Sequence, residues 1–178
     1  EDRIKMHAKR MQKMKTMVSS GDVVPPSFDG VDNADITFMT WGSTFSYAQE
    51  AIKLLATDGV KVNILHFTDL FPMPREAALE RLRKCKRIIS VEANMCNSLC
   101  KHVLAETAFE VTEHINRWDG EPFTGEYIVN EFKKLMKDWP FEIVGLDDLG
   151  ITDDVEETGK TFQENALIKA EFAHKLTD

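Results

Sequence analysis

Several groups of residues in this chain have types and spacings that suit chemistry. Gly42-Ser43-Thr44 follows an apolar stretch and opens a helical pattern. Backbone amides at such a point can receive an anion. Glu92 and Asn94 follow a second apolar stretch, at the kind of position where parallel strands end and ligands bind. Cys96 and Cys100 are spaced i, i+4 near a helix start; that spacing can chelate in principle, but two thiols without further ligands are read as packing residues. Asn165 and Lys169, also i, i+4, share one helix face. His66 and His114 fall in strand-like stretches with no acid–base partner beside them, so both read as structural. The alternative for Ser43 and Thr44 is a helix cap, and for Glu92 a turn contact. Because fold position alone is weak evidence for a site, the capping reading is preferred and these residues are candidates for a rim only.

The elements that position these residues follow from periodicity. Ile4, Ala8, Met11, Met14 and Val18 share one face of a basic amphipathic helix over 1–18. Its Met-rich face is adaptable and suited to docking. Residues 19–33 contain Gly21, Pro25, Pro26 and Gly30 and read as a linker. From there strands at 36–41, 60–67, 87–91 and 109–115 alternate with helices. One helix has Ala48, Ala51, Ile52 and Leu55 on its face and ends at Gly59; the next opens at Pro74, and a third covers 98–108. Thr124 can cap a further helix with Ile128, Phe132, Leu135, Met136 and Trp139 on one face. A short strand at 141–146, an acidic loop and a capping box at 161–164 close the chain. Strands separated by helices imply right-handed crossovers. The fold class is therefore α/β, a three-layer, mainly parallel Rossmann-like sheet with an added strand–helix tail. Trp41, Phe71 and Trp118 read as core or subunit-interface aromatics.

Composition sets the outer bounds. The chain has 178 residues, 43% hydrophobic and 29% charged, as expected for a soluble globular protein. No apolar run approaches the ~20 residues of a membrane span, and no membrane partner is expected. The net charge of −8 argues against a nucleic-acid partner. That charge is uneven: residues 1–17 carry six Lys/Arg against two acids, whereas 141–178 carry ten acids against three Lys. Three cysteines, an odd number, suit a reducing cytoplasm better than a disulfide framework.

Two family resemblances now enter, each on its own residues. The stretch "FMTWGSTFSYAQEAIKLLATDGVKVNILHFTDLFPMP", with "RIISVEANMCNSLCKHV", "HINRWDGEPFT" and the opening "HAKRMQKMK", resembles the transketolase C-terminal-like domain of the alpha subunit of 2-oxoacid:ferredoxin oxidoreductases, particularly the 2-oxoglutarate type. The resemblance covers roughly residues 1–130, with the α/β domain at 34–130. It implies a complex that uses thiamine diphosphate, Mg²⁺ and iron–sulfur clusters to decarboxylate a 2-oxoacid, passing electrons to ferredoxin and the acyl group to coenzyme A. It also implies that a pyrimidine-facing domain precedes Glu1 and that the diphosphate and metal site belongs to another subunit. No cofactor bound by this chain is expected, and its partners would be the other subunits. Cys96, Asn97 and Ser98 depart from the small and amide residues usual after V-E-x-N in that family.

The end of the chain is similar to a second family. Glu-Glu-Thr-Gly at 156–159, Thr-Phe-x-Glu-Asn-Ala at 161–166 and Lys-Ala at 169–170 resemble the Ham1-like inosine/xanthosine triphosphate pyrophosphatases over roughly residues 131–178. That resemblance implies a metal-binding role for Glu157, as hard oxygen ligands suit Mg²⁺. It implies a phosphate-contacting role for Lys169, with Asn165 beside it on the helix. The family's Thr-x-Asn-x-x-Lys loop is not matched, since Ile128 stands at its Lys position. The Asp-Asp-Ser-Gly segment that would follow is not in the sequence either. The expectation is therefore an oxidoreductase-subunit domain, inactive alone, fused through a shared helix to an incomplete pyrophosphatase segment. The alternatives are a Mg-dependent purine nucleotide pyrophosphatase and a structural or designed chimera without activity.

Overall fold

The computed structural model describes residues 1–137 together with Glu164 and Ile168, both helical. The strand expected at 141–146, the acidic loop and the rest of the closing helix lie outside the described residues. The sheet is built from β1 (Ser27–Gly30), β2 (Ile36–Trp41), β3 (Val62–Phe67), β4 (Ile88–Glu92) and β5 (Glu113–Asn116) in the order β1-β3-β2-β4-β5. All neighbours are parallel except β1, which runs antiparallel to β3. The described helices are α1 (Asp2–Ser19), α2 (Thr44–Thr57), α3 (Arg75–Leu82), α4 (Ser98–Thr107) and α5 (Gly125–Met136).

Successive strand residues point to opposite faces, and both faces of this sheet are covered. Phe38, Ile64, Ile89, Val91 and Ile115 face α2 and α5, joined by Ala48, Ala51, Leu55, Ile128, Phe132 and Met136. Met39, Leu65 and Phe67 face the other way, toward Ala78, Leu82, Leu99 and Val103 of α3 and α4. β2, β3 and β4 are accordingly buried on both faces, with Thr37, Thr40, Asn63 and Ser90 set among their apolar residues. The three-layer, mainly parallel architecture expected from the sequence is the one observed.

Three local departures have physical reasons. Residues 19–33, read as a linker, contain β1. Its side chains carry no apolar alternation and are mostly exposed, so the strand is held by backbone pairing to β3 and by Asn63 Nδ2 donating to Val31 O at 3.2 Å. Gly30, at φ +98°, lets the edge close over Ile52; a Cβ there would sit 3.1 Å from its Cδ1. The strand expected at 109–115 is shortened to β5, because Ala108 turns into the left-handed region at φ 57° and Val111 is buried on the α3/α4 side before pairing begins. Finally, α1 has no buried residue, and Ile4 and Met11 are 75% and 56% exposed. Among the described residues nothing covers its apolar face.

The start of α5 is fixed twice. Thr124 Oγ1 accepts from Tyr127 N at 3.1 Å, the cap expected from the sequence, and Glu50 Oε2 accepts from Gly125 N at 2.8 Å. A Cβ on residue 125 would lie 2.4 Å from Glu50 Cγ and 2.9 Å from Glu50 Cβ. Gly125→Ala is therefore expected to destabilise the fold by about 1–3 kcal/mol through overpacking and loss of this cap. A thermal melt of the variant checks this, with a lowered Tm expected.

Candidate functional site

In an open parallel sheet, ligands bind where the crossovers of adjacent strands diverge. Here that point lies between β2 and β4, which pair with Met39 beside Ser90. The chain leaves β2 through α2 toward β3, and leaves β4 through α4 toward β5 on the other side. Both sets of candidate rim residues, Gly42-Ser43-Thr44 and Glu92 with Asn94, fall at this one point.

Their side chains are turned to different work. Gly42 takes φ +57° with open space around its α-carbon, and Ser43 is exposed without a side-chain capping bond. Thr44 is buried and its hydroxyl donates to Trp41 O at 2.7 Å, tying helix to strand. Glu92 is fully buried. Its carboxylate accepts from Leu99 N at 2.8 Å, Cys100 N at 3.3 Å and Asn94 Nδ2 at 2.9 Å. A carboxylate on these first amides satisfies orphan donors and complements the positive end of α4. Asn94 Oδ1 in turn accepts from Cys96 N, Ser98 N and Ser98 Oγ. Asn116 Nδ2 donates at 2.7 Å to both Asn94 O and Asn97 Oδ1, which holds Asn97 in its left-handed conformation. The V-E-x-N stretch thus forms a closed brace between β4, β5 and α4.

Hydroxyl partners for the two strand histidines were not visible in the sequence because they lie across the sheet. His66 pairs with Thr40 in register, Nδ1 to Oγ1 at 3.0 Å, and its ring lies 4.4 Å from Phe45. Burial pushes its pKa down. The neutral ring then contributes stability that is present above its ordinary 6.5 and lost as pH falls through the lowered value. His114 pairs with Ser90, Nδ1 to Oγ at 2.8 Å, with Cys100 Sγ 3.7 Å from the same nitrogen. A hydroxyl beside an imidazole has the form of a nucleophile with its base. Ser90 is fully buried, however, so the pair cannot reach a substrate. Thr37 and Asn63 repeat the device, 2.7 Å apart across β2 and β3.

Cys96 and Cys100 are not a chelating pair: Cys96 is exposed on the loop and Cys100 is buried on the inner face of α4. Burial is the main cause that pushes the Cys100 thiol up to about 12. Native-state alkylation at pH 8 is therefore expected to label Cys96 and spare Cys100, as peptide mass spectrometry would show. Folding holds the Cys100 proton, so its contribution is full below its ordinary 9.0 and is lost as pH rises toward about 12. Urea unfolding should show lower stability at pH 10.5 than at pH 8, and the drop should shrink in Cys100→Ala.

No group of three or more His, Cys, Asp or Glu that could hold a metal lies together among the described residues. No described helix is long and apolar enough to cross a membrane. Glu157, Asn165 and Lys169 lie outside the described residues. Two of the three aromatics singled out by sequence, Phe71 and Trp118, are 66% and 62% exposed and are not core residues; Met95 is 65% exposed. These three stand in the loops after β3, β4 and β5, all at the carboxyl end of the parallel strands.

Comparison with known proteins accounts for both halves of the chain. Residues 34–128 match the family described as pyruvate:ferredoxin oxidoreductase core domain II, and residues 128–178 match the Ham1 family. The alpha subunit of 2-oxoacid:ferredoxin oxidoreductase 1 from Aeropyrum pernix is 32% identical over 127 residues, covering 68% of this chain and 19% of that subunit. A dITP/XTP pyrophosphatase from Thermoanaerobacter pseudethanolicus is 52% identical over 48 residues, covering 27% of this chain and 24% of that enzyme. The chain thus spans about a fifth to a quarter of these relatives' lengths. A solved 2-oxoglutarate:ferredoxin oxidoreductase from Magnetococcus marinus, with 2-oxoglutarate, coenzyme A and succinyl-CoA bound, superposes with a TM-score of 0.63 at 32% identity. That superposition covers 72% of this chain and 22% of the solved one. The match spans β2 to β5 and the brace at Glu92 and takes in more than half of the residues, so the chain belongs to the pyruvate:ferredoxin oxidoreductase core domain II family.

Proposed function

We propose that the chain is a non-catalytic domain of the alpha subunit of a thiamine-diphosphate-dependent 2-oxoacid:ferredoxin oxidoreductase, whose assembly converts a 2-oxoacid to its acyl-CoA. It is joined to an incomplete nucleotide pyrophosphatase segment, making the whole a chimera of two α/β pieces. The observation that carries this reading is the agreement of the 34–128 match with the superposition on the Magnetococcus marinus enzyme. The chemistry of the braces supports it. Glu92, Asn94, Ser90 and His114 are all spent on holding strands and α4 together. In this reading the domain places a rigid sheet beside partners that hold the thiamine diphosphate, Mg²⁺ and clusters. Other subunits are the direct partners, and ferredoxin meets the assembly rather than this domain.

Co-expression with the partner subunit of a related 2-oxoacid:ferredoxin oxidoreductase tests this. Co-elution of the two chains on size exclusion is the expected result; a folded chain that elutes alone, beside a control alpha subunit that associates, would sink the reading. The second reading, a Mg-dependent pyrophosphatase of non-canonical purine nucleoside triphosphates, is favoured by the 128–178 match and by Glu157, Asn165 and Lys169.

A further inference from the structure

The edge strand β1 has a face left open. Phe28 pairs with Leu65 in register, so both side chains point to the α3/α4 face. Leu65 is fully buried there, whereas Phe28 is 42% exposed, and Val24, leading into the strand, is 50% exposed. The same segment carries Asp22, Asp29 and Asp32. Asp22 accepts from Ser20 Oγ and Asp29 from Gln49 Nε2, both neutral donors. None of the three makes an ion pair among the described residues. α1 offers the complement. Ile4, Met11, Met14 and Val18 form its stripe, and helical spacing puts Arg3 and Arg10 along one edge and Lys15 along the other. Lys5 pairs with Glu1 at 3.4 Å, but Arg3, Lys9, Arg10, Lys13 and Lys15 make no ion pair among the described residues. A lone helix of this length is marginal in water, so the stripe needs cover. The β1 of the same copy does not supply it. Only residues 20–22 separate α1 from the buried Val23, and that turn is fixed by Asp22 N donating to Met17 O at 3.1 Å and by Gly21 at φ +79°. Two α1 stripes laid together would bring cations against cations. A helix lying on a membrane carries Trp, Phe or Leu on its apolar face, and α1 has none of them.

We propose that two copies of this chain associate about a two-fold axis, with α1 of each laid across Val24 and Phe28 of the other. The stripe covers the open face of β1, and Arg3, Arg10 and Lys15 meet Asp22, Asp29 and Asp32. Because α1 and β1 are neighbours along the chain, one such contact brings the second with it, as a two-fold interface requires. A basic helix on an otherwise acidic chain of net charge −8 fits this pairing. The pairing stands apart from the oxidoreductase reading, since it uses no residue of a partner subunit.

Size exclusion with light scattering on the full chain tests it. The expected mass is that of a dimer, which dissociates as salt is raised. Arg3→Glu with Arg10→Glu is expected to weaken the dimer by about tenfold or more, and so is Asp22→Lys with Asp32→Lys. All four side chains are exposed, so the fold is kept, and circular dichroism checks that it is. The four changes combined should restore association to within about threefold of wild type. A wild-type monomer would overturn the pairing, including one that binds phosphatidylserine vesicles instead. So would a dimer indifferent to reversal of either patch, or a combined variant no tighter than the two doubles.

Discussion

Replacing Glu92 with glutamine is expected to cost about 3 kcal/mol of folding stability, since buried donors lose a charged acceptor. The side chain keeps its size, so packing is not the cause. What changes is the acceptor set. The carboxylate now faces Leu99 N and Cys100 N at the start of α4 and also takes the Asn94 amide. A glutamine can offer one carbonyl oxygen and must turn an NH₂ toward a donor. It also removes the negative charge that complements the helix dipole. Glu92 is fully buried, so water cannot replace the lost bonds. Urea denaturation of wild type and variant checks this, with a lower midpoint and an unchanged slope expected. Stability equal to wild type would return Glu92 to the status of a rim residue.

Phe132→Ala is expected to cost about 3–5 kcal/mol, the range for removing a fully buried aromatic ring. The ring fills the space between α5 and β2 and meets Phe38 edge-to-face. Because Ala48, Ala51 and Leu55 of α2 belong to the same packed cluster, the site has little freedom to collapse. Phe132→Leu, which refills much of the volume, should recover a large share of the loss. The two melts together separate ring removal from any general intolerance of the position; an alanine variant as stable as wild type would mean that α5 does not close this sheet.

Much of the fold was legible because the strands carry their signature on both faces. Residues 36–41 hold four large apolar residues and two threonines, a composition that suits a strand covered on two sides. The α5 stripe and the Thr124 cap were equally plain. β1 was hidden because an exposed edge strand held by backbone bonds leaves no apolar pattern. The sequence placed Glu92 and Asn94 at the end of a strand, where the structure has them, but not the bonds they make. A carboxylate after a strand reads the same whether it points outward or folds back onto amides seven and eight residues later. The partners of His66 and His114 depend on strand register, which pairs residues 24 to 26 positions apart. No local pattern encodes that.

A domain exchange tests most directly the claim that this sheet is a non-catalytic domain of a 2-oxoacid oxidoreductase. Residues 34–128 of this chain would replace the matching segment in the Aeropyrum pernix alpha subunit, co-expressed with its partner subunit. 2-Oxoacid- and coenzyme A-dependent reduction of ferredoxin would then be measured. The account predicts an assembled hybrid with turnover of the same order as the parent. A hybrid that assembles with full cofactor content and yet shows no turnover would contradict it.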